Sequence, residues 1–336
     1  MNSAVLKPPS RYSTVAPDGT ALELAFDAGT DPYGALISAE ARRAYYAEQG
    51  YLVRRGLVAA ALCDAARQAF AREVRPYGGF LYRQASAKAE RHDRTAEGYV
   101  RNSLLNLQDL DRRAFAATQD ATLAILAGEA LEAAAAELLG APPVIVQTMY
   151  FEGNPVTWAH QDTYYLDAEP LGSMTAAWVA LEDIHPGAGR FYVYPGSHRI
   201  DMLRNGGDFE IAFHHDRYKA LVLDVIRRHG LRCHAPALRK GDVLFWNSKT
   251  IHGSLTTSVA DHSRSSLTAH YIPRGSRFLQ WQRRPRRLRL HEFHGRPVHC
   301  PKDQNRTLPR LSLRLQAAFP GLHDRLKRQV TRLMLR

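Results

Sequence analysis

Cysteine is scarce in this chain: Cys63, Cys233 and Cys300 are the only three in 336 residues. A set so small and odd in number excludes a disulfide framework and fits a reducing compartment, so the expected location is cytoplasmic. Long apolar stretches are missing too. None approaches the roughly 20 residues that a membrane-spanning helix needs. Met1–Asp31 lacks the apolar core of a secretory signal, and residues 1–36 read as an irregular lead-in rich in Pro, Ser, Asp and Gly. No internal repeat is visible, which excludes solenoid and propeller arrays.

Acidic side chains run short at one end only. From Arg274 to Arg336, seventeen Lys and Arg face three acids, a net of +14, while the other residues carry −2 and the whole chain +12. This basic extension, residues 274–336, is expected to be partly helical. After Pro320, Leu322, Leu326, Val330 and Leu333 recur at helical spacing beside Arg325, Lys327, Arg328 and Arg332. Packing of that stripe on the domain or on a second subunit comes first. Contact with an acidic partner, or with the inner face of a membrane, comes second. Nucleic acid comes third, because no module that reads bases accompanies the charge. His291, His294, His299 and Cys300 form a local cluster that could seat zinc, but without a paired knuckle they read as solvated histidines.

What is present is chemistry-bearing. His160-Gln161-Asp162 puts an imidazole and a carboxylate two residues apart, on one side of an extended backbone. A second histidine, His252, follows about ninety residues later. Two imidazole nitrogens and one carboxylate oxygen leave roughly three positions free on a six-coordinate metal, the set that suits non-haem Fe(II) enzymes activating O2. Twelve residues past His252, Arg264 opens a strand-like run from Ser266 to Ile272. Its guanidinium can grip the far carboxylate of 2-oxoglutarate in two prongs, although a surface ion pair is the commoner fate of a single arginine.

Short apolar stretches recur at Pro143–Phe151, Met174–Leu181, Phe191–Tyr194, Val243–Trp246 and Leu267–Ile272, separated by turns such as His185-Pro186-Gly187 and Lys240-Gly241-Asp242. Upstream, Ser38–Glu48, Val58–Val74 and Asp120–Leu139 carry helical spacing. The fold class is therefore α+β.

The ordered motifs resemble the phytanoyl-CoA dioxygenase family of Fe(II)/2-oxoglutarate oxygenases. They run from Gln49-Gly50-Tyr51-Leu52-Val53, through Trp158-Ala159-His160-Gln161-Asp162 and Ala177-Trp178-Val179-Ala180-Leu181-Glu182-Asp183, to Pro195-Gly196-Ser197-His198-Arg199. Lys240-Gly241-Asp242-Val243-Leu244-Phe245-Trp246 then precedes His252 and Arg264. The resemblance implies a double-stranded β-helix, a jelly-roll relative of the cupins. On that reading residues 37–273 are the oxygenase domain, with a helical part at 37–142 and a barrel at 143–273. It implies Fe(II) on His160, Asp162 and His252, with 2-oxoglutarate and O2 as co-substrates, and hydroxylation of a small molecule with release of succinate and CO2. Desaturation and ring formation stay open. Related halogenases replace the carboxylate with a small residue, so Asp162 argues for a hydroxylase.

Gln147 and Trp178 are further candidates for the co-substrate site. Trp178 reads equally as a core aromatic, and Thr148 and Tyr150 are the alternates to Gln147, since neighbouring strand residues face opposite ways. Substrate contacts are expected from residues 77–106, 163–172 and 200–236. Arg101 and Asn102 stand out there, with Trp158 beside the metal segment. The rival readings are a cupin-like binding or scaffold protein docking through its basic tail, and a metal enzyme that dispenses with the co-substrate.

Overall fold

The structure is a computed structural model that describes residues 11–26, 31–153, 156–207, 214–282, 284–319 and 321. The chain opens on a hairpin of β1 (Arg11–Val15) and β2 (Ala21–Ala25). Helix α1 (Ala39–Gln49) is started by Ser38, whose Oγ accepts from the Ala41 amide. It stops at Gly50, at φ 76°, and the chain turns straight into β3 (Tyr51–Arg54). A Cβ at Gly50 would overlap His198 and Thr250. The Gly50 carbonyl accepts from Thr250 Oγ1 at 2.6 Å and from the Asn247 amide at 2.9 Å, which ties α1 to the turn just before His252. Gly50→Ala combines a left-handed backbone with overlap and is expected to cost on the order of 1–3 kcal/mol. A urea midpoint equal to that of the native chain would show that the turn adapts instead.

Helix α2 (Ala60–Ala69) continues as a π turn to Val74, and β4 (Leu81–Tyr82), β5 (Ala89–Glu90) and β6 (Leu104–Leu105) are short. Then come α3 (Arg112–Leu126) and α4 (Glu129–Leu139). The spacing predicts one helix over 120–139, but two helices meet there. Gly128, extended in backbone, caps the second of them and lies so close to the Ala124 carbonyl that no side chain fits.

The remaining elements are β7 (Pro143–Phe151), β8 (Leu166–Ala168), β9 (Thr175–Ala180), β10 (Phe191–Val193), α5 (His215–Arg228), β11 (Val243–Asn247), β12 (His252–Ser254), β13 (Ser266–Pro273), β14 (Phe278–Gln280), β15 (Arg284–Arg286), β16 (Leu290–Phe293), β17 (Arg296–His299) and α6 (Thr307–Ala318). A large central sheet runs β16-β17-β7-β13-β9-β11-β3, with β6 also on β7, and only the β17–β7 pair is parallel. Two small sheets join it, β10-β12 and β15-β14-β8.

Alternation sorts the central sheet into two faces. One carries Leu52, Tyr150, Ala177, Val179, Phe245, Leu267 and Ala269 against Cys63, Ala66, Phe70, Val74 and Leu126 of the helical layer. The other carries Tyr51, Val53, Ala176, Trp178, Leu244 and Trp246 against Phe191 and Val193 of β10. An interior is thus enclosed between the large sheet and β10-β12. Helix α5 covers the far side of β10-β12 through Tyr218, Val222, Val225 and Ile226.

The basic residues 274–336 contribute β14 to β17 and α6. The helix expected through Leu322, Leu326, Val330 and Leu333 lies outside the described residues. No helix among the described residues is long and apolar enough to cross a membrane.

Candidate metal centre

His160 and His252 form a reciprocal backbone bridge: each amide donates to the other's carbonyl at 3.0 Å. Residues directly opposite in an antiparallel pair share a face, so the two rings stand side by side, with centroids 4.3 Å apart. Asp162 opens a 3-10 turn, Asp162–Tyr164. Its Oδ1 lies 3.6 Å from His160 Nε2 and 3.6 Å from His252 Nε2. The three donors lie within 4.8 Å of one another, the only such group of three among the described residues. His291, His294, His299 and Cys300 do not gather, and His299 Nδ1 instead accepts from the Arg289 amide.

Each ring is oriented from behind. His160 Nδ1 lies 2.8 Å from the Trp158 carbonyl, and His252 Nδ1 lies 2.9 Å from the Thr250 carbonyl. Those contacts fix Nδ1 as the protonated nitrogen and leave the Nε2 lone pairs facing Asp162. Burial lowers His252 to about pH 4 against the opposing pull of Asp162, so its imidazole is neutral at physiological pH. Burial alone would raise Asp162, but the imidazoles of His252, His270 and His160 around it hold it well below the usual carboxylate range. A neutral imidazole beside an ionised carboxylate is a donor set ready for a divalent cation.

The second carboxylate oxygen is held separately. Trp246 Nε1 donates to Asp162 Oδ2 at 2.8 Å, and His270 Nε2 lies 3.3 Å from the same atom. One oxygen therefore faces the imidazoles while the other is anchored. Outer partners of this kind typically cost about 10- to 100-fold in metal affinity when removed. Trp246→Phe and His270→Phe are each expected to weaken Mn(II) binding to that extent, measured by calorimetric titration; native affinity in both would show that Asp162 is fixed by other means.

Arg264 is 2% exposed. It donates through one terminal nitrogen to the Gly189 carbonyl, while its Nε has no partner and it forms no ion pair among the described residues. Burial alone pulls it down to about 10. The Arg264 amide donates to the Glu152 carbonyl at 2.9 Å, so Arg264 extends the pairing of β13 with β7. Counting by twos along β13, Arg264 shares a side with Ser266, Thr268 and His270, the side that meets Asp162. A buried guanidinium with no anion is costly, and its setting suits a carboxylate that arrives from outside.

Residues 46–265 match the model of the phytanoyl-CoA dioxygenase (PhyH) family. The chain belongs to the phytanoyl-CoA dioxygenase family. Phytanoyl-CoA dioxygenase domain-containing protein 1 of Bos taurus is 31% identical over 140 residues, covering 39% of this chain and 45% of that protein. Ectoine dioxygenase of Halomonas elongata is 28% identical over 181 residues, 48% of this chain and 53% of that one. The chain spans about half the length of the curated relatives it matches. Among solved structures, the non-heme alpha ketoglutarate dependent epimerase SnoN from nogalamycin biosynthesis aligns with a TM-score of 0.51 at 18% identity, over 80% of this chain and 100% of that one. EctD from S. alaskensis with 2-oxoglutarate and 5-hydroxyectoine aligns at 0.50 and 19%, over 75% and 82%. At such identities the likeness is one of fold.

Within this PhyH-family framework the other candidates separate. Gln147 stands opposite His270, in a cross-strand row Gln147–His270–Ala176–Trp246–Tyr51 on the interior face. Trp178 occupies the next row, opposite Thr268 and Leu244. Its ring lies 5.9 Å from Phe191, which in turn stacks 5.5 Å from His252, so Trp178 stands one ring back from the donors. Trp158 is beside His160, ring centroids 5.2 Å apart. Arg101 and Asn102 are engaged in their own loop. The Arg101 guanidinium pairs with Asp93 at 2.8 Å, and the Asn102 amide bridges the Asp93 amide and the Arg91 carbonyl. Sequence reasoning missed Trp246 and His270. The signal available was position alone: His270 lies six residues, an even step, after Arg264 on one strand.

Proposed function

We propose that this chain is an Fe(II)- and 2-oxoglutarate-dependent dioxygenase that hydroxylates a C–H bond of a small molecule, forming succinate and CO2. His160, Asp162 and His252 would hold the iron, and Arg264 the far carboxylate of 2-oxoglutarate. The iron and co-substrate supply the oxidising chemistry with O2; the protein supplies position and a dry interior. Gln147, on the row of His270, offers an amide to the keto acid end, and Trp178 walls the same interior. We read the two-sheet interior, residues 143–273, as a double-stranded β-helix inside an oxygenase domain of residues 37–273. Asp162 fills the third protein position on the metal, which supports hydroxylation over halogenation.

The observation that carries this reading is the buried guanidinium of Arg264, without an anion among the described residues, on the same interior face as the metal donors. A docking scaffold has no use for an uncompensated charge there. The test is succinate formation from 2-oxoglutarate by the full chain with Fe(II) under air, which is expected slowly even without substrate. Absence of succinate, together with no binding of 2-oxoglutarate by the Mn(II)-loaded chain, would overturn the proposal.

A further inference from the structure

Of the three donors, His160 is the most exposed. The His160 side chain is 12% exposed, against 7% for Asp162 and 4% for His252. Around His160 stand three partly buried aromatic rings and the exposed His215. Trp158 lies 5.2 Å from the His160 ring and Tyr165 lies 6.1 Å from it at 72°. Trp281 lies 5.5 Å from Tyr165, and His215 is about equally distant from Trp158 and Tyr165, at 6.0 and 5.9 Å.

Two further observations point to a ligand. The Tyr165 hydroxyl is buried and has no hydrogen-bond partner among the described residues. Leaving such a group unmatched costs about 1–3 kcal/mol, which an oxygen acceptor on a ligand would recover. Trp281 and Gln282 take positive φ in succession, 54° and 57°, a conformation that bulky side chains rarely adopt. The Trp281 amide donates to the Tyr165 carbonyl at 3.0 Å, so this turn is what delivers the indole to Tyr165. Trp281 also lies beyond residues 46–265, the part matched by the family model.

Resting on the oxygenase reading above, we propose that Trp158, Tyr165 and Trp281 form the substrate clamp. It would take a neutral or anionic small molecule that carries a flat or alicyclic ring, with the Tyr165 hydroxyl donating to one of its oxygens. Pockets of this kind pair apolar rings with a few polar groups, and ring-on-ring contacts add about 0.5–1.5 kcal/mol beyond the area they bury. The charge class follows from Lys219, whose Nζ already sits 5.4 Å over the Trp158 ring. Its carboxylate partner, Asp216, is 3.8 Å away and fully exposed. A cationic ligand would meet that ammonium where it needs the indole face.

The test uses the full chain loaded with Mn(II) and 2-oxoglutarate, and three probes: 2-naphthoate, hexanoate and phenyltrimethylammonium. Calorimetry and ligand-observed NMR are expected to show 2-naphthoate binding about tenfold tighter than either other probe. Tyr165→Leu and Trp281→Leu should each weaken 2-naphthoate about tenfold. Tyr165→Phe, which keeps the ring, should lose less. In all three variants Mn(II) and 2-oxoglutarate affinity should stay unchanged, showing an intact fold. Equal binding of the three probes, no saturation by 2-naphthoate, or native affinity in both Leu variants would overturn the clamp. If Mn(II) and 2-oxoglutarate fail to bind the native chain, the oxygenase reading falls instead, and 2-naphthoate binding to the metal-free chain still reports on the clamp.

Discussion

Asp162→Ala is expected to abolish measurable Mn(II) binding and, with it, succinate formation. Its Oδ1 is equidistant from both Nε2 atoms, at 3.6 Å, so it alone completes the three-donor face. Removing an outer partner of a metal ligand typically costs about 10- to 100-fold, and removing the ligand itself should cost more than about 100-fold. A second effect accompanies the first. Trp246 Nε1 would lose the acceptor it now has at 2.8 Å, in a ring that is 2% exposed. An orphaned buried donor of this kind costs about 1–3 kcal/mol, so the metal-free variant should also unfold at lower urea. Asp162→Asn separates the two losses. The amide oxygen can still accept from Trp246, which restores stability, while the anionic donor is gone and metal binding stays weak. Mn(II) affinity within about tenfold of native in Asp162→Ala would remove Asp162 from the centre.

The donor set was legible because part of its geometry is local. Two residues of extended chain suffice to aim His160 and Asp162 at one point, even though the strand gives way to a 3-10 turn at Asp162. His252 was legible only through its place in an ordered series of motifs, since nothing within its own segment reveals the bridge to His160. Trp246 and His270 stayed hidden for the same reason. A tryptophan in a strand reads as core, and a histidine among Thr, Ala and Tyr has no local mark. Only the register through Ala176 puts both on one row above Asp162. Arg101 and Asn102 show what a loop sequence leaves unsaid. A polar, basic loop looks like a ligand surface, but a loop must first satisfy its own backbone, and Asp93 and Arg91 claim those side chains. The arginine-rich tail hid its strands because Arg284-Pro285-Arg286 is exposed throughout. With no buried alternate positions there is no period of two to read, and the pairing comes from β14.

Arg264→Leu should divide binding from stability in a way that no purely structural arginine would. In the native chain the guanidinium is buried, bonded to the Gly189 carbonyl, and unpaired with any carboxylate among the described residues. Leucine forfeits that one hydrogen bond, worth about 1.5–3 kcal/mol for a charged donor, but it also removes a buried charge that the metal-free fold must tolerate. The two nearly offset, so the metal-free variant should unfold at about the native urea concentration or above it. Binding behaves differently. Two charge-assisted bonds to one carboxylate together contribute about 3–6 kcal/mol, so 2-oxoglutarate affinity and the apparent KM should worsen by about 10²- to 10⁴-fold. Mass action then predicts that saturating 2-oxoglutarate raises the melting temperature of the Mn(II)-loaded native chain and leaves that of the variant where it was. Arg264→Lys keeps the charge without the planar fork and should fall between the two. Mn(II) affinity should be native in both, because the three donors come from other segments. Should Arg264→Leu lose several kcal/mol of stability while binding 2-oxoglutarate as the native chain does, Arg264 would be a structural cation, and the co-substrate's far carboxylate would need another partner.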